Sequence, residues 1–535
     1  MSNSENSYDV LIVGCGPTGA TLANLLRMSG RRVAIFDRDA DVFHAPRAMV
    51  IDAESCRIYQ RMGILDRLTK EDAAPFLKHK FVAPNRKTLV AFDLEIIPET
   101  FGQPASGMMF HQPALERMLR EDFSKAPTVD AYLGHEVLSV ESHDERAVVK
   151  ARNVETGEEA EYEASYIVGS DGGVSLCRRS IGANRIDLEY RRKWIVIDVI
   201  LQDRDYWDSI REGSEFKCQP DSAVVFVKGH HGHLRFDFEI EEERADSFSK
   251  EDAIALISDF VDPSSAEIIR LTPYNFYAGM PDRWRKDRIL LAGDAAHQTS
   301  PFAGQGLNMG IRDAAHLAFL FDLIFDGKAD DSILDSYQEE RWDHCRVLID
   351  VASERGKMIS LTGLGARFRR NTIFAFARHF PPFRRAMTLA RSDYPLYTGG
   401  LIGTGHALCG ARLIQPWIVD AEGVRTKLDD VIGDGFSLLT STSVSGPAID
   451  WFENEFGGRI FRVGEDFTDP EGKLTEVLDG HSILVRPDRF IYGASTQPNE
   501  LCAAFHDHLS KYHTSHSTED APSSTEQSLA SSVTG

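Results

Sequence analysis

The sequence predicts an α/β protein in which a parallel-sheet, nucleotide-binding domain is interrupted by an antiparallel sheet. Residues 8–37 have the order strand, glycine-rich loop, helix, strand, and residues 288–325 have the order strand, acidic glycine-rich loop, apolar helix. Residues 224–240 instead alternate apolar and polar side chains around a turn at residues 229–232, as a hairpin does. At roughly 100–200 residues per domain, the 535 residues allow about two to four domains.

The composition favours a soluble, cytoplasmic protein without nucleic-acid or membrane partners. The 59 basic and 82 acidic residues give a net charge of −23, whereas nucleic acids and anionic membranes attract basic surfaces. The seven cysteines contain no CxxC pair, so we expect neither a metal site nor a dithiol redox site. The polar N-terminus leads straight into a strand and does not resemble a signal peptide, and no apolar run reaches about 18 residues.

The first loop has the pattern of a dinucleotide-binding site. Gly14, Gly16 and Gly19 form GxGxxG between the strand at residues 8–13 and the helix at residues 17–28. The pattern assigns Gly14 to a tight turn, Gly16 to the close approach of a pyrophosphate, and Gly19 to helix–strand packing. Asp37 ends the next strand, where an acid can bind a ribose 2′-hydroxyl. The acid favours FAD or NAD, and the loop alone does not separate them.

Two further loops follow buried strands. Asp294 comes after the strand at residues 288–292, and a glycine-rich turn then leads into the helix predicted at residues 309–325. The free N–H groups and positive dipole end of that helix suit an anionic or electron-rich group, and the acid can hold a hydroxyl group. Asp171 and Gly172 follow the strand at residues 166–168.

Together, the three loops resemble the three fingerprints of the group A flavoprotein monooxygenases, the FAD-dependent aromatic hydroxylases. Shorter segments are similar to the 3-(3-hydroxyphenyl)propionate hydroxylase branch, at residues 46–52, 111–113, 171–179, 194–196, 335–341 and 485–490. The resemblance implies a glutathione-reductase-like FAD-binding Rossmann domain at residues 8–75, 105–190 and 281–390. It also implies an inserted antiparallel β-sheet substrate domain at residues 76–104 and 191–280, and a C-terminal thioredoxin-like domain, without CxxC, at residues 395–512.

The resemblance also implies the cofactor contacts. The first loop and its acid would hold the ADP half of FAD: Gly14, Gly16, Gly19 and Asp37. The turn before the long helix would line the pyrimidine edge of the flavin: Gly304, Gly306, Leu307 and Asn308. Asp294 would hold the ribityl or pyrophosphate part, and Asp171 with Gly172 would serve both FAD and NAD(P)H. Residues 46–48 are predicted to open a helix on which Asp52 follows. Arg47 would contact the pyrophosphate region unless it is a surface residue at the start of this helix. Gln112 would contact the flavin's linking chain unless it is an ordinary helix-start residue.

The implied reaction uses NAD(P)H, with NADH slightly favoured, and O₂ to hydroxylate a phenolic ring through a flavin C4a-hydroperoxide. A base or hydrogen-bond acceptor should face the substrate hydroxyl, because a phenolate-like ring is the activated form. Asp52 resembles an acid near the substrate in related phenol hydroxylases; the alternative is a helix-start aspartate that complements the dipole. Arg235 would bind a substrate carboxylate, and Pro301 is the third predicted catalytic residue.

Other residues of the substrate domain have two interpretations each. Phe226 with Phe236 or Phe238 is either a wall for the aromatic ring or ordinary sheet core. His231 and His233 are additional candidates for contact with the substrate. His297 is close to the flavin loop in sequence and is interpreted as a packed loop histidine.

Two other functions stay open at this point. One is a same-fold flavin oxidoreductase without ring hydroxylation, and the other is a non-catalytic FAD-binding protein. The branch of the resemblance suggests a 3-(3-hydroxyphenyl)propionate-like substrate in aromatic catabolism, but the sequence does not name the ring's substituents. A homodimer is compatible with the sequence, and the serine-rich tail at residues 513–535 is expected to be disordered.

Overall fold

The computed structural model describes residues 7–96, 107–210, 212–219, 222–361, 363–389 and 395–513. In chain order, its strands are β1 (Ser7–Val13), β2 (Val33–Asp37), β3 (Val50–Ile51), β4 (Ala73–Pro75), β5 (Lys78–Val82), β6 (Thr88–Asp93), β7 (Met108–Phe110), β8 (Val129–Leu133), β9 (His135–Ser142), β10 (Ala147–Asn153), β11 (Glu159–Gly169), β12 (Arg185–Leu201), β13 (Ser214–Lys217), β14 (Val224–Lys228), β15 (His233–Glu239), β16 (Ala266–Pro281), β17 (Arg285–Lys286), β18 (Ile289–Leu291), β19 (Trp417–Asp420), β20 (Arg425–Lys427), β21 (Ser437–Thr440), β22 (Arg459–Arg462), β23 (Phe467–Thr468), β24 (Ser482–Val485) and β25 (Ile491–Ser495).

The α-helices of the same residues are α1 (Pro17–Met28), α2 (Ala53–Arg61), α3 (Leu65–Glu71), α4 (Gln112–Ser124), α5 (Leu176–Ser180), α6 (Arg204–Ser209), α7 (Lys250–Ile257), α8 (Gly306–Phe325), α9 (Asp335–Ile359), α10 (Leu364–His379), α11 (Pro381–Leu389), α12 (Leu428–Ile432), α13 (Pro447–Asn454), α14 (Lys473–Leu478) and α15 (Pro498–Leu509). Among these helices, none combines the length and apolarity that a membrane crossing requires.

The first sheet is mostly parallel, with strand order β17-β18-β11-β1-β2-β8. Strands β18, β11, β1, β2 and β8 run parallel, and β10 and β9 extend β11 as antiparallel strands. In β1, Val10, Leu11 and Ile12 are fully buried. A parallel sheet is covered on both faces, which explains why this strand is a continuous apolar run. Helix α1 packs against α4 and α8 beside the sheet.

The second sheet has the order β16-β12-β15-β14-β13-β5-β6. Its neighbours are antiparallel except β13 and β5, which are parallel, so the expected antiparallel sheet is in fact mixed near one edge. The predicted hairpin is confirmed as β14 and β15. Its turn needs Gly232, where φ is +78° and a Cβ atom would lie 2.4 Å from the carbonyl oxygen of Leu201.

The C-terminal part has a four-stranded sheet of order β22-β21-β24-β25. Strands β21 and β22 are parallel with α13 between them, and β24 and β25 form an antiparallel pair followed by α15. Leu438, Leu484 and Phe505 belong to the same buried core as the first sheet. A buried ion pair also crosses this junction, from Arg486 to Glu340 at 2.7 Å. The C-terminal part is therefore packed directly on the nucleotide-binding part.

Two sequence-based helix boundaries need correction. Residues 46–48 do not open a helix but lie in an irregular loop, and α2 begins only at Ala53. Asp52 is its N-cap and accepts a hydrogen bond from the N–H of Ser55 at 2.9 Å, which satisfies one of the free donors of the first turn. Helix α8 begins at Gly306, before the predicted residue 309. The predicted tail lies outside the described residues from residue 514 onward.

Candidate active site

Three loops from distant parts of the sequence meet at one edge of the first sheet. Strands β18, β11 and β1 are parallel neighbours, so their carboxyl ends lie side by side. The loops that leave these ends contain Asp294, Asp171 and Gly14, respectively. In open α/β sheets, ligands bind outside the carboxyl ends of the strands. The fold therefore joins the three loops where a dinucleotide can bind.

The glycines of the first loop differ in their surroundings. Gly14 has φ of +101°, and a Cβ atom there would lie 2.5 Å from the carbonyl oxygen of Ser170. At Gly19, a Cβ atom would lie 2.0 Å from the carbonyl oxygen of Gly14, so neither position accepts a side chain. At Gly16, a Cβ atom would meet no protein atom within 4 Å, although the backbone (φ −75°) suits any residue. Gly16 thus leaves room for a ligand beside the start of α1.

Asp37, at the end of β2, is oriented by the first loop. Its Oδ2 accepts a hydrogen bond from the N–H of Cys15 at 2.7 Å, and its Oδ1 accepts one from the N–H of Asp39 at 3.0 Å. The half-buried carboxylate therefore lies beside the glycine loop, where dinucleotide folds bind a ribose hydroxyl.

Asp171 has one carboxylate oxygen with a protein partner and one without. Its Oδ2 accepts a hydrogen bond from the N–H of Cys177 at 3.0 Å, whereas its buried Oδ1 has no hydrogen-bond partner among the described residues. Buried polar atoms are nearly always hydrogen-bonded, so this oxygen indicates a donor from a ligand. Arg178 is buried and donates to the carbonyl oxygens of Gly173 at 2.7 Å and Ala295 at 3.2 Å. It connects the second loop to the third.

Asp294 lies in a short 3₁₀ turn, Gly293–Ala295, and is exposed in a narrow cleft. Protein atoms crowd its carboxyl group on the remaining sides. Burial raises the pKa of Asp294 above its ordinary value, and the interactions with His297 and Arg47 only partly oppose this. A hydroxyl donor in the cleft would stabilise the ionised form.

The first N–H groups of helix α8 take no part in its own ladder of backbone hydrogen bonds. The ladder begins at the N–H of Met309, which donates to the carbonyl oxygen of Gln305 at 2.8 Å. The preceding N–H groups, on Gly306, Leu307 and Asn308, lie outside this ladder. With the positive end of the helix dipole, they form a site for negative charge.

The turn before α8 is held by the side chain of Asn308. Its Oδ1 accepts a hydrogen bond from the N–H of Asp52 at 3.0 Å, and its Nδ2 donates to the carbonyl oxygen of Gly304 at 2.6 Å. Gly304 has φ of +64° and ends a 3₁₀ turn that begins at the exposed Pro301. Only the backbone of Asn308 therefore remains to line a ligand site.

A buried cluster of charges supports the start of α8. Arg312 donates to Asp52 Oδ2 at 2.6 Å, Glu54 Oε2 at 2.9 Å and Gln305 Oε1 at 2.9 Å. Arg412, from the C-terminal part, donates to Glu54 at 3.1 Å. Burial acts to raise the pKa of Asp52, but Arg312 and a backbone N–H outweigh it and hold the pKa below its ordinary value. Both oxygens of Asp52 thus bind protein groups, as in the helix-start alternative, and its action as a base remains a prediction.

The segment around Arg47 is held by Gln112 and Arg235. Gln112 Oε1 accepts hydrogen bonds from the N–H groups of Arg47 at 2.8 Å and Ala48 at 2.6 Å. Arg235 is buried; it pairs with Asp237 at 3.0 Å and donates to the carbonyl oxygen of Arg47 at 2.6 Å. The Arg47 side chain itself is exposed. Contacts of Gln112 with FAD and of Arg235 with a carboxylate remain predictions.

On the side of the second sheet that holds Arg235, further polar groups lie towards Asp294. Asp198 binds His233 at 2.9 Å and Arg270 at 3.5 Å, and all three side chains are largely buried. Tyr274, on β16, is partly exposed and interacts electrostatically with Asp294. Burial is the main cause that raises its pKa, and Asp294 adds to it.

Of the two interpretations of Phe226, Phe236 and Phe238, the sheet core is right and the wall for the aromatic ring is wrong. These side chains pack with Phe260 in a separate core that α7 covers. Side chains alternate across a strand, so the opposite register faces the first sheet. The aromatic residues on that side are Phe81, Trp194, Phe216, Phe276 and Phe302.

The histidines have separate locations. His297 is packed, as expected, with Nε2 2.6 Å from Asp313 Oδ2. His233 is buried beside Asp198, whereas His231 is exposed at the tip of the β14–β15 hairpin.

Sequence reasoning missed Arg312, Arg270 and Tyr274. Arg312 follows Asn308 by one helical turn, and this spacing could have placed it beside the loop. Arg270 and Tyr274 had no comparable signal, because the pairing of β16 with β12 determines what they face.

The three loops and the first turn of α8 together form a cradle that fits FAD. The room at Gly16, the unpartnered Asp171 Oδ1 and the N–H groups at the start of α8 are complementary to a pyrophosphate, a hydroxyl-rich linker and an electron-rich ring.

Comparisons with known proteins agree with this reading. The chain is 31% identical over 443 residues to the 3-(3-hydroxy-phenyl)propionate/3-hydroxycinnamic acid hydroxylase of Burkholderia cenocepacia (strain HI2424), covering 82% of this chain and 80% of that one. It is 30% identical over 520 residues to the probable NADH-specific resorcinol 4-hydroxylase of Rhodococcus jostii (strain RHA1), covering 93% and 94%.

Solved structures show the same fold. The flavin-dependent monooxygenase PieE, in complex with FAD and substrate, has a TM-score of 0.79 at 20% identity, covering 95% of this chain and 100% of that one. Aklavinone-11 hydroxylase, with FAD and aklavinone, has a TM-score of 0.77 at 22% identity, covering 95% and 100%. The FAD binding domain family matches residues 7–352, and the chain belongs to this family, as the resemblance predicted.

Proposed function

We propose that this protein is an FAD- and NAD(P)H-dependent monooxygenase that hydroxylates a phenolic ring. The observation that carries the proposal is the meeting of three loops and the start of α8 at one sheet edge, opposite the inner face of the second sheet. Relatives of similar length and about 30% identity are named as hydroxylases of phenolic compounds.

Each part of the cradle has a proposed task. The first loop and Asp37 hold the ADP half of FAD, Asp171 and Asp294 accept hydrogen bonds from its linker, and the first turn of α8 faces the flavin ring. When bound, FAD accepts electrons from NAD(P)H and activates O₂. The N–H groups of α8 stabilise negative charge on the ring, because they are fixed before the reaction begins.

The substrate ring lies between α8 and the second sheet in this proposal. The aromatic side chains Trp194, Phe276 and Phe302 exclude water from one end of the cleft. At the other end, Tyr274 is partly exposed and near Asp294, so its hydroxyl can bond to the hydroxyl of a phenol. Arg47 forms no ion pair with any residue that the structure describes, and it is available to an anionic group.

The three predicted catalytic residues have different proposed roles. Asp52 and Arg235 are buried and bound to protein groups, which favours positioning roles at the α8 turn and at Arg47. Pro301 is exposed beside the flavin turn and can contact the ring directly. Substitution of Asp52 by Asn tests the alternative: if Asp52 is the base, ring hydroxylation is lost while the variant, although less stable because its ion pair with Arg312 is broken, still folds and binds FAD.

We also propose the domain division predicted from the sequence. Residues 8–75, 105–190 and 281–390, which contain the first sheet, form a glutathione-reductase-like domain. Residues 76–104 and 191–280 form the substrate domain. The parallel pair β21–β22 with α13, then β24, β25 and α15, is the order of a thioredoxin-like domain at residues 395–512. A crystal structure whose C-terminal domain does not superpose on a thioredoxin fold would refute this part.

The decisive experiment measures NADH consumption by the FAD-loaded protein with a panel of phenols, together with product mass. Stimulated consumption and a product heavier by one oxygen atom support ring hydroxylation. NADH consumption without an oxygenated product would favour an oxidoreductase of the same fold. Absence of NADH consumption would favour a non-catalytic FAD-binding protein. Preference for a 3-hydroxyphenyl alkanoate over resorcinol would identify a carboxylate-bearing substrate, consistent with the exposed Arg47.

A further inference from the structure

Three potential metal ligands from separate segments meet at the surface, beside the start of α4. Asp72 precedes β4, His111 lies between β7 and α4, and His231 lies in the turn between β14 and β15. One donor atom from each residue lies within 4.8 Å of the others. His231 Nε2 is 2.8 Å from Asp72 Oδ1, and His111 Nδ1 is 3.6 Å from the same oxygen.

Two of these ligands are fixed to each other by the backbone. The N–H of His111 donates to the carbonyl oxygen of Asp72 at 2.8 Å, and β4 pairs with β7 immediately beyond. The Nδ1 atom of His111 is buried and has no hydrogen-bond partner among the described residues. A buried nitrogen that points at a carboxylate without bonding to it is satisfied when both bind one ion.

The third ligand is presented by an unusual backbone conformation. His231 has φ of +53°, a region that residues other than glycine seldom adopt. The turn around it is closed by hydrogen bonds between Gly229 and His233 and between His233 and His230, each 2.9 Å. His230 Nε2 also lies 3.1 Å from the carbonyl oxygen of Met109. The turn is thus held against the first part of the chain, with the imidazole of His231 over Asp72.

We propose that Asp72, His111 and His231 form a site for a divalent transition-metal ion, with Zn²⁺ as the natural candidate. Two imidazoles and one carboxylate are the ligand types that Zn²⁺ takes, and water completes a four-coordinate ion. Ligands at about 2.0–2.2 Å from Zn²⁺ in a tetrahedron lie roughly 3.3–3.6 Å apart, so the three atoms need shifts of about an ångström or less. The ion clamps the hairpin tip of the second sheet to the segment that leads into α4.

A second trio, His297, Asp313 and Cys345, also brings its donor atoms within 4.8 Å. Its carboxylate is already bound by Arg341 at 2.9 Å and by the N–H of Gly293 at 2.8 Å. A cation there would displace Arg341 from its fully buried pair with Asp313. The surface trio of Asp72, His111 and His231 contains no arginine or lysine.

The test uses untagged, FAD-loaded full-length protein, stripped with a chelator and titrated with Zn²⁺ by calorimetry. We expect one tight equivalent per chain and a higher midpoint of thermal unfolding, because the ion binds only the folded arrangement. His231→Asn removes a ligand while Asn tolerates the left-handed backbone, and D72N removes the carboxylate charge. Both variants should bind Zn²⁺ at least tenfold more weakly, whereas H143Q, which removes an exposed imidazole outside the trio, should match the parent protein.

Absence of a tight equivalent in the parent protein, or its retention in both His231→Asn and D72N, would overturn the proposal. Flavin content and the unfolding midpoint in chelator show whether each variant is folded. If neither variant folds, anomalous diffraction from a Zn²⁺-soaked crystal of the parent protein decides. Density between Asp72 and the two histidines supports the site, and its absence refutes it.

Discussion

Replacing Asp294 by alanine is the sharpest test of the cofactor cradle. The side chain follows β18 at the edge where β11 and β1 also end, and it is exposed in the cleft between the sheets. We expect D294A to fold and to bind FAD more weakly, because the carboxylate is proposed to accept a hydrogen bond from the cofactor. The 3₁₀ turn around it is made by backbone bonds that alanine preserves.

The magnitude follows from one charge-assisted hydrogen bond. Such a bond contributes about 1.5–3 kcal/mol, which corresponds to a roughly 10- to 150-fold weaker Kd for FAD. D294N should lose about half of that free energy, because a neutral acceptor bonds about half as strongly as a charged one.

The assay is a fluorescence titration of the FAD-free protein with FAD. E161A is a matched control, since Glu161 is an exposed acid on β11 far from its carboxyl end. An affinity of D294A within twofold of E161A and the parent protein would refute the placement of Asp294 on the cofactor.

The same assay has a pH signature. Burial holds the pKa of Asp294 above its ordinary value in the free protein, so the protonated acid persists to a higher pH than it does for an ordinary aspartate. FAD affinity should fall as the pH is lowered through this raised pKa, because the protonated acid is the weaker acceptor. Part of that pH dependence should disappear in D294N.

Three further substitutions test separate parts of the site. R312M should lower the free energy of unfolding by about 3 kcal/mol, because it breaks the buried ion pair between Arg312 and Asp52; urea unfolding checks this, and adding D52N should restore part of the loss. Gln112→Leu should weaken FAD binding about tenfold by releasing the backbone of Arg47, and an unchanged Kd would contradict that positioning role. Gly16→Ala should leave the unfolding midpoint of the FAD-free protein unchanged yet lower FAD affinity at least tenfold, since its Cβ would meet no protein atom but would enter the ligand's space; unchanged affinity would place the pyrophosphate elsewhere.

The local segments could be read from the sequence because their signals are short-range. The helix at Pro17–Met28 has the predicted bounds, because a glycine loop with Pro17 starts it and Gly30 follows its end. The strands ending near Val13, Gly169 and Leu291 were also evident as apolar runs. The family resemblance, which rested on the loops after these strands, is confirmed.

The Pro46–Ala48 segment shows where local signals fail. Proline suits the first turn of a helix but also suits an extended loop, and the choice depended on Gln112, which lies far away in sequence. The side chain of Gln112 accepts the N–H groups of that loop, and a helix there would use them differently.

The side chains around the substrate cleft depended on tertiary structure in the same way. Alternation along β14 and β15 identified two faces, but not which face turns towards the flavin. The outward direction of Phe226 and Phe236 follows from the packing of α7, and the partners of Asp52 follow from the approach of α8. The sequence by itself therefore determined the loops and their dinucleotide-binding class, because glycine geometry and apolar runs act over a few residues, and the family resemblance implied FAD. Only the tertiary structure decided which charged and aromatic side chains meet, because such contacts join segments that lie far apart in the sequence, as Asp52 and Arg312 do.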